Sequence, residues 1–448
     1  MAEIAPLTPL RYDLARLPRG LESVISPPYD VISPEERETL AARDPHNVVR
    51  LILPEGDHDA KYANAAALLA EWRERGVLVR DPEPAFYRYD QTFAPPFGGG
   101  GGSIRRRGFL ALVRLVPFSQ RVVLAHERTL SGPKEDRLRL FRATGANLSP
   151  GFMLYRDPNR QLEGPLEEAE PLAEYTTADG VHHMLAKVRK GEAVRAIVER
   201  IALSKLLIAD GHHRYETALR YSEEVSAAHS EAPARAEHRF FMTFLVSCDD
   251  PNLVVFPTHR LVHSLPSFSF DALVRRARDS FLVDELAGGA DVSLILDSLR
   301  RTGDTGGPSV AAAGPDGRAV VMRLRKDVDL EKHPTLGALS KIMRSVDAVV
   351  LHAGVLEHLL GITPAAQAAK TNLSYPQDAG RALADVRAGK ANVLFLMNAT
   401  PVTQVLDVAE AGEVMPQKST FFYPKIPTGL AIHTLDPARI AAGPVPRP

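Results

Sequence analysis

The sequence holds a single cysteine, Cys248, among 448 residues. That excludes an intramolecular disulfide and any zinc site built from several thiolates. It also lacks a charge excess: 54 Lys and Arg stand against 55 Asp and Glu, for a formal net charge of −1. No broad basic field is therefore available to hold a nucleic-acid backbone. No run reaches the ~18 apolar residues that a membrane span needs, and the opening MAEIAPLTPLRYDLARL has neither the basic start nor the apolar stretch of a signal peptide. The expectation is a cytoplasmic protein without membrane or nucleic-acid partners. What is present is ordinary globular composition, 45% apolar and 24% charged. The length exceeds one ordinary core, so two or three lobes are expected.

The chain alternates helical and strand patterns, which gives a mixed α/β (α+β) class. Ser33 caps a helix with Pro34 at its first position and Glu35 and Glu36 in the first turn. A strand, VVRLIL (48–53), is expected next, then an amphipathic helix ending before Gly76 with Leu68, Leu69 and Trp72 inward. The glycine-rich stretch 94–103 resembles a linker by composition. The aromatic and β-branched runs on either side make it the tip of a hairpin instead. Further on, 193–229 reads as helix, short apolar strand, turn, helix, and the runs 239–248 and 252–262 read as neighbouring strands joined by Asp249–Asn252. Two regions are expected, 1–230 and 231–448.

The segment SKLLIADGHHRYETALRY carries the first candidate site. The strand ends at Asp210, Gly211 permits a tight turn, and a helix starts near His212. Backbone N–H groups and the positive end of the helix dipole then face whatever lies above the turn, which suits a phosphate. Arg214 adds a guanidinium fork, and His212 and His213 can donate hydrogen bonds or move a proton. Two other readings stay open: Asp210 as a plain helix cap with surface histidines, and weak metal binding by His212 or His213 with Glu216. In 124–155, Glu127 is a candidate general base or magnesium ligand, and Lys134 and Arg137 can balance phosphate charge, unless 134–142 is simply a charged helix face. Lys418, Ser419 and Thr420 resemble the end of a phosphate-binding loop, yet its glycines are missing, so this is no Walker motif. Tyr29, Asp30, Thr258, His259 and Arg260 sit in proline-fixed turns.

SPPYDVIS, HERT, PKEDRL, ANLSP, IADGHHRYETA, PTHRLV and MPQKSTFFYPK, in this order from residue 26 to 425, resemble the bacterial and archaeal domain-of-unknown-function family ten-fifteen. IADGHHRYETA is also similar to the helix-start motif of the ParB and sulfiredoxin superfamily, some of whose members are kinases of free serine. The resemblance implies a ParB/sulfiredoxin-like nucleotide-binding core with an additional α/β lobe. It implies that Asp210, Gly211, His212, His213 and Arg214 contact phosphates or the transferred group, with ATP or ADP and magnesium as cofactors. A histidine stands where sulfiredoxins have their catalytic cysteine, which argues against that redox chemistry, and no helix-turn-helix follows for a chromosome-partitioning role. The expected functions are a nucleotide-dependent phosphotransferase acting on a small hydroxyl metabolite such as serine or phosphoserine, a phosphatase using the same residues, or a nucleotide-binding regulator without turnover.

Overall fold

Side-chain alternation in the strand Phe240–Ser247 sets the layering. Phe240, Met242, Phe244 and Val246 enter one apolar cluster, while Phe241 and Leu245 enter another. A strand buried on both faces belongs in the middle of a sheet covered on both sides. The computed structural model describes residues 1–96, 102–129, 131–288 and 291–443, and these form a nine-stranded mixed sheet with that strand inside it. It pairs antiparallel with Ile104–Arg114 and parallel with Gly151–Tyr155. Leu206–Asp210 and the edge strand Val123–Leu124 follow on the Gly151–Tyr155 side; Phe86–Phe93, His182–Val188 and Glu170–Thr176 follow on the other. Ile4–Ala5 adds to Ile104–Arg114.

Helices Gly191–Ala202 and His212–Ala228 cover one face through Val194, Ile197, Ile201 and Tyr215. Leu69 and Trp72 of the helix Ala60–Glu74 share the opposite core with Tyr87 and Leu112. Ser33 caps Pro34–Arg43 as expected, its Oγ accepting from the Glu36 N–H at 3.1 Å. The hairpin is present: Phe86–Phe93 and Ile104–Arg114 pair from Tyr87 with Leu110 to Phe93 with Ile104. Its tip, 97–101, lies outside the described residues.

A second sheet of six strands runs in the order Phe281–Glu285, Ala319–Leu324, Ser309–Ala313, Val393–Leu396, Arg260–Val262 and Leu373–Ser374. Its apolar residues, such as Val310, Met322 and Phe395, belong to the same cluster as Phe152 and Phe244 of the first sheet. The core is thus continuous between the sheets. The Phe240–Ser247 strand, past position 230, belongs to the first of them.

Two expectations are corrected. Residues 48–53 do not form a strand; Val49–Ile52 is a short helix. Asn47 explains it: its Oδ1 accepts from the Val49 N–H at 3.0 Å while its amide donates to the carbonyls of Ser23 and Ile25. Tertiary burial of all but Arg50 then overrides the β preference of the valines. Nor are the strands after Arg239 neighbours. Val254–Phe256 pairs with Phe421–Tyr423, and Arg260–Val262 lies in the second sheet. Pro257 separates these two short strands, since a proline cannot donate to a ladder. Among the described residues no helix is long and apolar enough to cross a membrane.

Candidate functional site

The apolar strand Leu206–Asp210 delivers its last carboxylate to a turn where the chain must reverse into a helix. Gly211 makes the reversal with φ +93°, and the helix His212–Ala228 begins with no side chain capping it. Its first main-chain bond is Tyr215 N–H to the Gly211 carbonyl at 2.9 Å, so the amides of His212, His213 and Arg214 precede the intrahelical ladder. Asp210 is not the cap of this helix. Its Oδ2 accepts from Arg214 Nη2 at 2.5 Å and its Oδ1 from Lys425 Nζ at 2.8 Å. Burial pushes the Asp210 carboxyl up, but Lys425 and Arg214 outweigh it and hold the group well below the carboxylate range.

Arg214 is buried, and its other Nη donates to the Pro150 carbonyl. Its guanidinium therefore ties the turn to the Asn147–Gly151 segment rather than pointing outward as an open fork. Burial disfavours its charge, while Asp210, Asp30 and Tyr29 together raise its pKa. Tyr29 and the exposed Asp30 thus belong to this corner, where the Arg137 guanidinium sits 4.3 Å from the Tyr29 ring centroid. A cavity of about 30 Å³ lies between Tyr29, Arg137, Ser149 and Arg214, room for one water.

The segment after the edge strand forms the second wall. His126 Nδ1 lies 2.7 Å from the Ile208 carbonyl, which makes it the protonated nitrogen, so Nε2 accepts from the Thr420 hydroxyl at 3.0 Å. The His126 amide in turn donates to His212 Nε2 at 3.3 Å, and the two rings meet edge to face at 4.7 Å. Burial lowers both imidazoles, His126 to about 4, so both are neutral at pH 7. His213 is half-buried; burial lowers it too, with Glu216 pulling up and Lys134 pulling down. Lys134 Nζ itself lies 2.7 Å from Glu216 Oε2 and 3.2 Å from Thr129 Oγ1.

Glu127 and the C-terminal segment close the site. Met415 N–H donates to the His126 carbonyl at 2.8 Å, which draws the 415–420 turn alongside. Burial pushes the Glu127 carboxyl up to about 7, although the Lys418 ammonium and backbone N–H favour its charge. Lys418, at φ +60°, also lowers the pKa of Asp210. Ser419 and Thr420 are buried and internally engaged, Ser419 Oγ with the Pro416 carbonyl at 2.6 Å and Thr420 with His126. The fold therefore brings Glu127, Asp210, Gly211, His212, His213, Arg214, Lys134 and Lys418 around one turn. Arg260 acts on Glu127 from the second sheet: burial lowers it to about 10, Glu127 favours its charge, and its Nη2 donates to the Gln417 carbonyl at 3.3 Å.

Lys425 was not among the residues singled out from the sequence. Its signal was the Pro424-Lys-Ile-Pro427 frame, a rigid backbone carrying one cation. Among the described residues no group of three or more His, Cys, Asp or Glu is arranged to hold a metal ion. Asp210 is already engaged by two cations, Arg214 and Lys425.

Residues 4–349 match the family described as protein of unknown function, DUF1015. The chain belongs to the DUF1015 family. The DUF1015 match contains Glu127 and Asp210–Arg214 and ends before Lys418 and Lys425. A search of curated proteins gives no match. Solved structures similar to the chain include a mutant free serine kinase in complex with AMP (14% identity, TM-score 0.35, 69% of this chain and 89% of that one). A conserved hypothetical protein from Pyrococcus furiosus gives 15% identity and TM-score 0.33 over 69% of this chain and 92% of that one. SbnI with a C-terminal truncation from Staphylococcus aureus gives 9% identity and TM-score 0.35 over 72% and 87%.

Proposed function

We propose that this DUF1015 protein is a nucleotide-dependent phosphotransferase acting on the hydroxyl of a small metabolite, with ATP or ADP as the phosphate carrier and serine or phosphoserine as the first candidate. One observation carries the reading: an uncapped helix start at His212 stands beside Lys418 and Lys425, with a carboxyl of pKa about 7, Glu127, at the same turn. Amides and lysines there would neutralise phosphate oxygens, which is most of what phosphoryl transfer asks of a protein. Glu127, half ionised near neutrality, would take the proton of the acceptor hydroxyl. The acceptor oxygen forms a bond to the terminal phosphorus, the bond from that phosphorus to the bridging oxygen breaks, and its electron pair leaves with the shortened nucleotide. Asp210 and Arg214 are assigned to positioning, because each is held by the other.

Phosphorus NMR of the full chain with phosphoserine, ADP and magnesium tests this. The expected spectrum shows an ATP signal growing as phosphoserine falls, and slowing by 10²-fold or more in Glu127→Gln. Free phosphate appearing equally without ADP means a phosphatase. A wild-type rate in both Glu127→Gln and Lys418→Met removes this turn from the chemistry.

A further inference from the structure

A cleft of about 370 Å³ is lined in part by Lys425, whose ammonium bonds Asp210 at 2.8 Å. It lies between the segments 25–43, 177–183 and 421–427, with Gln377 beside them. This volume falls in the range of small-molecule sites, and its walls have the matching chemistry, mostly apolar and aromatic with a few polar groups. Phe421 and Tyr423 contribute rings tilted by 44° with centroids 6.1 Å apart. Pro27, Pro424 and Pro427 add flat, rigid surface; the charged side chains are Arg43 and Lys425 against Glu36 and Asp179, and Ser26, Thr177, His183 and Gln377 are the other polar groups.

The walls are held from behind by buried polar groups. Arg106, fully buried, donates to the Tyr423 carbonyl at 3.1 Å and the Pro424 carbonyl at 2.5 Å, and Gln91 donates to the Lys425 carbonyl at 3.2 Å. Arg106 Nε has no hydrogen-bond partner, and burial lowers the guanidinium to about 9. Such a group is unfavourable for stability alone, yet it fixes the backbone that presents Tyr423 and Lys425. On the opposite wall, His183 stacks on Tyr175 at 4.6 Å and lies 2.6 Å from the Tyr89 hydroxyl and 3.0 Å from Thr177 Oγ1.

The geometry points to this cleft as the seat of the planar ring system of a small ligand whose phosphorylated end lies at Lys425. Flat rings stack on Tyr423 and Phe421 with a preference that an aliphatic body lacks, and Lys425, which lines the cleft and bonds Asp210, meets the anionic end. The position of that end rests on the phosphate site proposed above; the ring site does not. A nucleoside and a non-nucleoside aromatic ester share this chemistry.

Saturation-transfer NMR on the full chain separates them, with AMP and phenyl phosphate as probes, while phosphorus linewidths in the same samples read the anionic end. Ring protons of at least one probe are expected to take up saturation, and the effect is expected to fall at least tenfold in Tyr423→Ala and return in Tyr423→Phe. Ala178→Trp, an exposed turn position lining the cleft, is expected to block it without disturbing the core. Uptake by AMP alone assigns a nucleoside, and uptake by phenyl phosphate assigns a ring without need of ribose. If neither probe's ring is saturated, or if Ala178→Trp changes nothing, the cleft proposal fails even where the phosphorus line broadens. Saturated rings with sharp phosphorus lines keep the cleft and remove the phosphate site.

Discussion

Two carboxyls of the site are shifted in opposite directions, and the signs separate them by experiment. Burial raises Glu127 from an ordinary 4.5 to about 7. Below pH ~4.5 the folded and unfolded chains both hold the proton. Between 4.5 and 7 only the unfolded chain releases it, so stability falls as pH rises, by on the order of 3 kcal/mol in all. Glu127→Gln is therefore expected to resist urea better than wild type at pH 8 by about that amount, and equally at pH 4. No gain at pH 8 would mean that Glu127 ionises normally. Asp210 behaves inversely: burial is outweighed by Lys425 and Arg214, so its contribution is complete above about pH 4 and is lost as pH falls through the depressed folded pKa. Asp210→Asn leaves Arg214 buried without its counter-charge and is expected to lose about 3 kcal/mol at pH 7, shrinking as pH is lowered towards 2, in the same urea titrations.

At the scale of the element, the turn between Leu206–Asp210 and His212–Ala228 depends on one glycine. A Cβ at Gly211 would adopt φ +93° and stand 3.1 Å from the Arg214 guanidinium. Gly211→Ala is expected to lower stability by about 1–3 kcal/mol through backbone strain alone, and to displace Arg214 from Asp210, read as a lower melting temperature. This element was legible in the sequence because its signals are local: an apolar run, a glycine, then a helical period. The cap at Ser33 and the hairpin around the 94–103 stretch were legible for the same reason. Val49–Ile52 was not, because its helix depends on Asn47 reaching carbonyls of Ser23 and Ile25 more than twenty residues away. The gathering of Glu127, Arg214 and Lys418 was foreseeable only as chemistry. Lys425 escaped notice because its partner, Asp210, lies 215 positions earlier, and no local pattern announces such a contact.

The whole molecule is closed by its last described segment, which returns from the second sheet to the first. Residue 415 bridges to 127, Phe421–Tyr423 pairs with Val254–Phe256, Ile432 bonds to Leu10, and His433–Thr434 pairs with Ala146–Asn147. Along the way Phe422, Ile426, Leu430, Ile432 and Leu435 are each at most 4% exposed. Burial of each such side chain contributes about 1.5–3 kcal/mol, so together they supply on the order of 10 kcal/mol, as much as the net stability of a typical domain. A fragment of residues 1–413 is therefore expected to lose its cooperative thermal transition by circular dichroism, not merely its site lysines. Ile432→Ala in the full chain gives the graded version, a loss of about 2–5 kcal/mol by urea denaturation. A fragment that melts cooperatively at the wild-type temperature would show that the returning segment only decorates a finished fold. Lys418 and Lys425 would then sit on a strap able to leave the turn. The expected collapse instead makes the site and the fold inseparable, because the segment that brings both lysines to Asp210 also completes the core beneath them.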